Sequence, residues 1–152
     1  MAEELALAPA EGLTVVWDRD AGGEDGPGWR LSGSLDGFSA LRVLTATIAD
    51  GSALMLCAAR PVSAEHHDAE AIAAAVIGAD GTVQSIEEAL LSTEYAADGS
   101  VTRLGLELYK PGDDYPLRAA GDVTSAGGER SELRFRLDGS EGTAIYEIVH
   151  GE

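Results

Sequence analysis

Glu147 is the residue whose type and position come closest to suggesting chemistry in this 152-residue chain. It stands inside the otherwise apolar stretch 144–149. If the strand face that carries Glu147 is the core face, its carboxyl group is buried and suits a general acid. If Tyr146 faces the core instead, Glu147 is a solvated residue, because successive side chains of a strand point to opposite faces. The sequence leaves both registers open.

Glu65-His66-His67-Asp68 is the only segment that brings imidazole and carboxylate side chains together. Such side chains serve as general bases or as metal ligands. Neighbouring residues of a strand point to opposite faces, so His66 and His67 would rarely bind one metal ion. The chain has no P-loop, dinucleotide fingerprint or nucleophile elbow. We therefore interpret the segment as a solvated loop and expect neither a metal site nor a cofactor.

The charge balance argues against whole classes of partner. The chain has 10 basic and 27 acidic residues, for a net charge of −17. Nucleic acids and anionic membranes demand clustered Lys and Arg, so neither is expected as a partner. Glu3 and Glu4 stand where a secretory signal would be positive, and no apolar stretch has the length of a membrane helix. The expected location is the cytoplasm, and Cys57, the only cysteine, is expected to be a buried, unreactive thiol.

Six Asp-Gly pairs divide the chain into segments of about strand length. Asp-Gly is a favoured centre of a two-residue hairpin turn, because both positions need positive φ. Most of the intervening segments alternate apolar and polar side chains, as strands with one buried face do. The pairs are Asp25-Gly26, Asp36-Gly37, Asp50-Gly51, Asp80-Gly81, Asp98-Gly99 and Asp138-Gly139.

These signals predict an all-β protein with one domain over residues 13–152. Residues 1–12 are predicted to form a tail that precedes it, either frayed or as a short helix. About nine or ten antiparallel strands are too many for one flat sheet, so we expect a barrel or a two-layer sandwich. Segment 83–95 is also compatible with a turn or two of helix, but its composition favours a long strand with a bulge or bend. The predicted strands span residues 13–17, 29–35, 38–48, 52–60, 70–77, 83–95, 101–109, 117–124, 130–137 and 143–150.

Two of these segments alternate so regularly that they indicate which side chains face the core. Over residues 103–109 and 132–137 every second residue is large and apolar, and the residues between are charged, aromatic or glycine. The six side chains expected to point inward are Leu104, Leu106, Leu108, Leu133, Phe135 and Leu137.

The end of the chain carries the pattern Asp138-Gly139-x-x-Gly142-x-Ala144-x-x-Glu147. It resembles the closing Asp-Gly-x-x-Gly-x-Gly-x-x-Glu in the second half of AttH-like proteins, a two-domain lipocalin-like superfamily that includes the carotenoid hydratase hydroxyneurosporene synthase. The resemblance covers about residues 29–150 and matches that second half only. Ala144 replaces a glycine, and the family's His- and Trp-rich segment is not matched. Catalytic roles therefore do not carry over, and only Glu147 stands at a matching family position.

The resemblance implies a lipocalin-like barrel that handles a hydrophobic small molecule, such as a terpenoid, a polyketide or an acyl chain. Its activity would be that of a hydratase or cyclase, with Glu147 as the acid or hydrogen-bond donor. The alternative is a non-catalytic ligand carrier, or a module that pairs with another half-domain, for example as a homodimer. The sequence does not decide between catalysis and binding. The candidate lining residues are Trp17, Trp29, Tyr95, Tyr109 and Tyr146.

Overall fold

The computed structural model describes residues 4–10, 12–18, 28–62, 70–112, 114–127 and 129–150. Within these ranges the chain forms twelve strands and no helix, which confirms the predicted all-β class. The first three strands are β1 (Glu4–Ala10), β2 (Leu13–Asp18) and β3 (Gly28–Gly33). They form a small antiparallel sheet in the order β1-β2-β3.

The other nine strands form one large antiparallel sheet. They are β4 (Phe38–Ile48), β5 (Ala53–Pro61), β6 (Ala71–Ile77), β7 (Val83–Ser85), β8 (Glu88–Tyr95), β9 (Val101–Tyr109), β10 (Leu117–Gly127), β11 (Arg130–Leu137) and β12 (Ser140–His150). Their order in the sheet is β7-β6-β5-β4-β12-β11-β10-β9-β8. Each pairing joins strands that follow one another in sequence, except the pairing of β12 with β4.

The two edge strands of the large sheet, β7 and β8, are separated in the chain only by Ile86 and Glu87. The amide of Ile86 donates to the carbonyl of Ala74 on β6 at 3.3 Å, and the amide of Glu87 donates to that of Tyr109 on β9 at 2.8 Å. One bent strand therefore leaves one edge and joins the other, and the sheet curls into a barrel. If β7 and β8 are counted as two halves of one bent strand, the nine strands of the sheet correspond to an eight-stranded barrel. This is the bend predicted within 83–95.

The inner face of the curled sheet is a continuous apolar core. All six side chains predicted to face inward are buried in it, and Phe135 is only 1% exposed. An eight-stranded barrel is just wide enough to be filled by side chains or to hold one small ligand. The buried members of this core are Leu44, Ala46, Ile48, Leu54, Leu56, Ala74, Ala89, Leu104, Leu106, Leu108, Ala119, Leu133, Phe135, Leu137, Ala144 and Tyr146.

A second core lies between the small sheet and the outer face of β4 and β5. Trp17 from β2, Val43 from β4 and Cys57 from β5 are buried together there. Leu44, the neighbour of Val43, faces the barrel interior, so β4 is buried on both faces. Burial on both faces explains why β4 and β5 are nearly continuous apolar runs, whereas β9 and β11 alternate.

Residues 4–10 form β1, so the expected tail or short helix over residues 1–12 is wrong for this stretch. Leu5 and Leu7 lie on one face of the strand and pack against the second core. Pro9 interrupts the apolar pattern, but proline is tolerated on an edge strand because its missing N–H group need not pair. β1 is such an edge.

Three hairpins share the sequence Ala-Asp-Gly-Ser or Ala-Asp-Gly-Thr and the same hydrogen bond. The carboxylates of Asp50, Asp80 and Asp98 accept the N–H group two residues later, at 2.8, 2.9 and 2.9 Å. Among the described residues only Asp138 combines a positive φ with a side chain. Asp138-Gly139 is therefore the one described pair with positive φ at both positions. The other described pairs have it at glycine alone, and Asp25-Gly26 lies outside the described residues.

We expect Gly142→Ala to destabilise the protein by about 1–3 kcal/mol, as overpacking does. Gly142 pairs with Ile48 across β12 and β4, and an added Cβ would overlap the carbonyl oxygen of Thr47 and lie 2.8 Å from the Cα of Ile48. Urea denaturation measures the loss. Thr143→Ala, which changes the exposed neighbouring side chain, is the matched control and should stay within about 0.5 kcal/mol of the parent. Equal losses in the two variants would contradict the steric argument.

Candidate functional site

One end of the barrel interior is polar, in contrast to the apolar core. We call this end the mouth and define it by Arg42, Glu70, Thr93, Ser131 and Tyr146. Tyr146 belongs to the inner core, and Ser131 lies directly opposite it on β11. Thr93 lies opposite the inward-facing Leu104 on β9. Arg42 precedes the inward-facing Leu44 by two residues, and alternation places both on the same face.

A buried ion pair lies at the centre of the mouth. The guanidinium group of Arg42 donates to both carboxylate oxygens of Glu70, with Nε 2.8 Å from Oε2 and Nη2 in contact with Oε1. The two side chains are only 6% and 3% exposed. This two-point arrangement uses the planar geometry of arginine, which lysine cannot reproduce. It keeps a charged group inside the barrel at a fixed position.

Tyr146 extends this polar group towards the apolar core. Nη1 of Arg42 donates to the hydroxyl oxygen of Tyr146 at 3.4 Å. Burial raises the pKa of Tyr146, and the charge and hydrogen bond of Arg42 oppose that shift only in part. Burial alone would lower the pKa of Arg42, but its hydrogen bond to Glu70 and its contacts with Tyr146 hold it above the ordinary value. The mouth therefore combines the guanidinium group of Arg42 and its partner Glu70 with a phenol that keeps its proton at neutral pH.

Two of the predicted lining residues meet at the mouth. Tyr146 is 2% exposed and belongs to the inner core. Tyr95 is 51% exposed, and its hydroxyl group lies 3.0 Å from Oγ1 of Thr93, from which it accepts a hydrogen bond. Its charge interaction with Tyr146 is among the factors that raise the pKa of Tyr146. Tyr95 and Thr93 thus lie at the same end of the barrel as Tyr146.

Glu147 lies on the outer face of β12, because Tyr146 and Ile148 face the interior. This is the second of the two registers that the sequence left open. Glu147 is half-buried, and its Oε1 accepts a hydrogen bond from Nε1 of Trp29 at 3.1 Å. Trp29 belongs to the small sheet and packs against the second core. Glu147 and Trp29 therefore form a polar contact between the two sheets.

The remaining predicted lining residues lie away from the barrel interior. Trp17 is buried between the sheets, and its Nε1 donates to Oγ1 of Thr45 at 2.7 Å. Tyr109 alternates with the inward-facing Leu108 and lies on the outer face, where its hydroxyl group donates to Glu107 at 3.4 Å. The structure thus divides the predicted set into a mouth group and an outer group.

Arg42 and Glu70 are the charged residues of the mouth, and sequence reasoning missed both, as it missed Thr93 and Ser131. A signal for Arg42 was present, because it is the only charged side chain within the apolar strand β4 and lies on the same face of that strand as Leu44. Glu70 gave no such signal, since it lies just before β6 and meets Arg42 across 28 residues of chain. Glu65-His66-His67-Asp68 lies outside the described residues.

Cys57 is buried in the second core, as predicted. Burial raises the pKa of its thiol to about 12. Since the thiolate is the reactive form, this cysteine is inert near neutral pH.

The described part of the chain shows no grouping of three or more His, Cys, Asp or Glu side chains that could hold a metal ion. None of the described residues forms a helix able to span a lipid bilayer. A scan against protein-family models finds no match, and a search of curated proteins finds none either. The resemblance to AttH-like proteins therefore stays a prediction.

Proposed function

We propose that this protein binds an amphipathic small molecule, with the apolar body inside the barrel and the polar head at the mouth. The observation that supports this proposal most strongly is the polarity of the interior. Arg42, Glu70 and Tyr146 are clustered at one end, and the rest of the inner core is apolar. Ligand sites combine these two features, because apolar walls supply affinity and a few fixed polar groups supply orientation.

The inner wall suits a slender apolar body such as an acyl or terpenoid chain. Several inward positions are alanine, namely Ala46, Ala74, Ala89, Ala119 and Ala144. Alanine occupies less of the interior than leucine at each of these positions, which favours a slender ligand over a bulky one. A ligand with an oxygen-bearing head would accept a hydrogen bond from the phenol of Tyr146 and lie near the positive charge of Arg42.

A hydratase or cyclase activity on the same ligand would need an acid at the mouth. Tyr146 keeps its proton at neutral pH because burial raises its pKa. Glu70 supplies a carboxyl group at the mouth, and Arg42 engages it in the buried pair. Glu147 faces away from the interior, so its carboxyl would serve only a ligand bound between the two sheets.

Tyr146→Phe should weaken binding of a dansyl-labelled undecanoic acid by about fivefold, because a lost hydrogen bond is worth about 1 kcal/mol. The probe should bind the parent protein saturably, with a blue-shifted and stronger emission that is followed by fluorescence titration. Tyr109→Phe removes the same hydroxyl group from the outer face and should leave the affinity unchanged.

Absence of saturable binding by the parent would contradict the proposal and favour the alternative of a non-catalytic interaction module. Light scattering of the same sample, which measures the molecular mass in solution, would then test for a homodimer. Equal weakening by both phenylalanine variants would mean that the probe binds outside the mouth. Urea denaturation of both variants ensures that loss of folding is not mistaken for loss of binding.

A further inference from the structure

An open groove lies on the outer face of strands β8 to β11, on the opposite side of the sheet wall from the inner core. Its volume is about 650 Å³, within the range of small-molecule sites. Gly105 and Ala120 lie directly opposite each other on β9 and β10 and form its floor. Leu90, which is 50% exposed, contributes an apolar wall. The groove exists because the two floor residues have almost no side chain.

Three arginines surround this floor: Arg103, Arg118 and Arg136. They are three of only 10 basic residues in a chain of net charge −17. We call this feature the arginine groove. Glu107 and Asp138 also line it, so among its lining residues three cationic groups stand against two acidic groups. An apolar floor surrounded by positively charged groups is complementary to an organic anion, which has an apolar body and a negative charge.

The guanidinium groups of the arginine groove are available to a ligand. The Arg118 side chain is exposed and makes no hydrogen bond or ion pair with a described residue, and Glu107 lies opposite it on β9. Arg103 contacts Asp122 at 3.3 Å and Arg136 contacts Glu141 at 3.5 Å, with the arginine side chains 50% and 65% exposed. Exposed pairs of this kind contribute little stability. Exchanging one of them for the carboxylate of a ligand therefore costs little.

We propose that the arginine groove is a binding site for a small aromatic or short-chain carboxylate. The apolar body lies on Gly105 and Ala120 against Leu90, and the carboxylate is held by Arg118 with Arg136 or Arg103 beside it. This site is separate from the mouth, because its floor residues Gly105 and Ala120 face outward, whereas the mouth residues face the barrel interior. The inference does not depend on the proposed barrel ligand.

The test uses 2-naphthoate as the probe and 2-naphthalenemethanol as its uncharged counterpart, with amide chemical shifts followed by NMR. We expect saturable shifts at Gly105 and Ala120 with naphthoate, and binding of the alcohol weaker by about tenfold or more, since a charged contact is lost. Arg118→Gln should weaken naphthoate binding severalfold. Arg130→Gln, which removes an exposed arginine at the opposite end of the neighbouring strand, should leave it unchanged.

Two further variants make the result specific to this groove. Ala120→Leu should abolish the shifts by filling the floor, and Tyr146→Phe should have no effect on them. Equal affinity for the acid and the alcohol, equal effects of the two glutamine variants, or shifts that do not saturate would each overturn the proposal. Weakening by Tyr146→Phe would place naphthoate at the mouth and would overturn it as well.

Discussion

Phe135→Ala is expected to lower the free energy of unfolding by about 3–5 kcal/mol, the loss typical of a fully buried phenylalanine. Phe135 is 1% exposed at the centre of the inner core. The barrel wall around it is closed by backbone hydrogen bonds, so it cannot collapse onto the space that the ring leaves. The cavity that remains therefore adds to the lost transfer free energy.

Urea denaturation of the parent and of Phe135→Ala measures this loss. Arg134→Ala is the matched control, because it shortens the preceding side chain on the same strand, which is exposed on the outer face. The control should change the free energy of unfolding by less than about 0.5 kcal/mol. A loss under about 1 kcal/mol for Phe135→Ala would mean that the inner face of β11 is not the core.

Glu70→Ala is expected to cost about 3–5 kcal/mol, because it leaves the buried Arg42 without its counter-ion. Both side chains are almost completely enclosed, so water cannot replace the lost carboxylate. Replacing both partners with apolar side chains, as Arg42→Met with Glu70→Leu, should recover much of that loss, since no unpaired charge then remains.

A double-mutant cycle on unfolding free energies tests this expectation. Glu141→Ala breaks the exposed pair with Arg136 and serves as the control, with an expected change below about 1 kcal/mol. If Glu70→Ala costs no more than this control, the ion pair is not buried in solution. If the double replacement costs as much as Glu70→Ala, the mouth depends on the polar groups for more than charge balance.

The fold was predictable because alternation and turn residues are local signals. Leu104 and Phe135 lie in stretches whose every second residue is apolar. Such alternation places all the apolar side chains on one face of the strand, and that face must be the buried one. β1 was missed because its apolar stretch is short and interrupted by Pro9, and its packing against the second core is not visible in the sequence.

The candidate site was less predictable, because its contacts join distant parts of the chain. Alternation correctly limited Glu147 to two registers, but the choice between them depends on pairing with β4, which fixes Tyr146 inward beside Leu44. Arg42 meets Tyr146 across 104 residues of chain. The alternation of side chains within one strand does not indicate which residues from distant parts of the chain will contact each other.

The pairing of β12 with β4 also has a consequence for the protein while it is being made. β4 finds its other neighbour, β5, within one hairpin, but β12 leaves the ribosome only about a hundred residues later, which at 5–20 residues per second is roughly 5–20 s. Throughout that interval one edge of β4 has no partner strand in the nascent chain. β4 is long and apolar, and an unpaired edge of this kind can pair with a strand of another protein molecule. The interval before β12 arrives is therefore when the nascent protein is most exposed to intermolecular pairing.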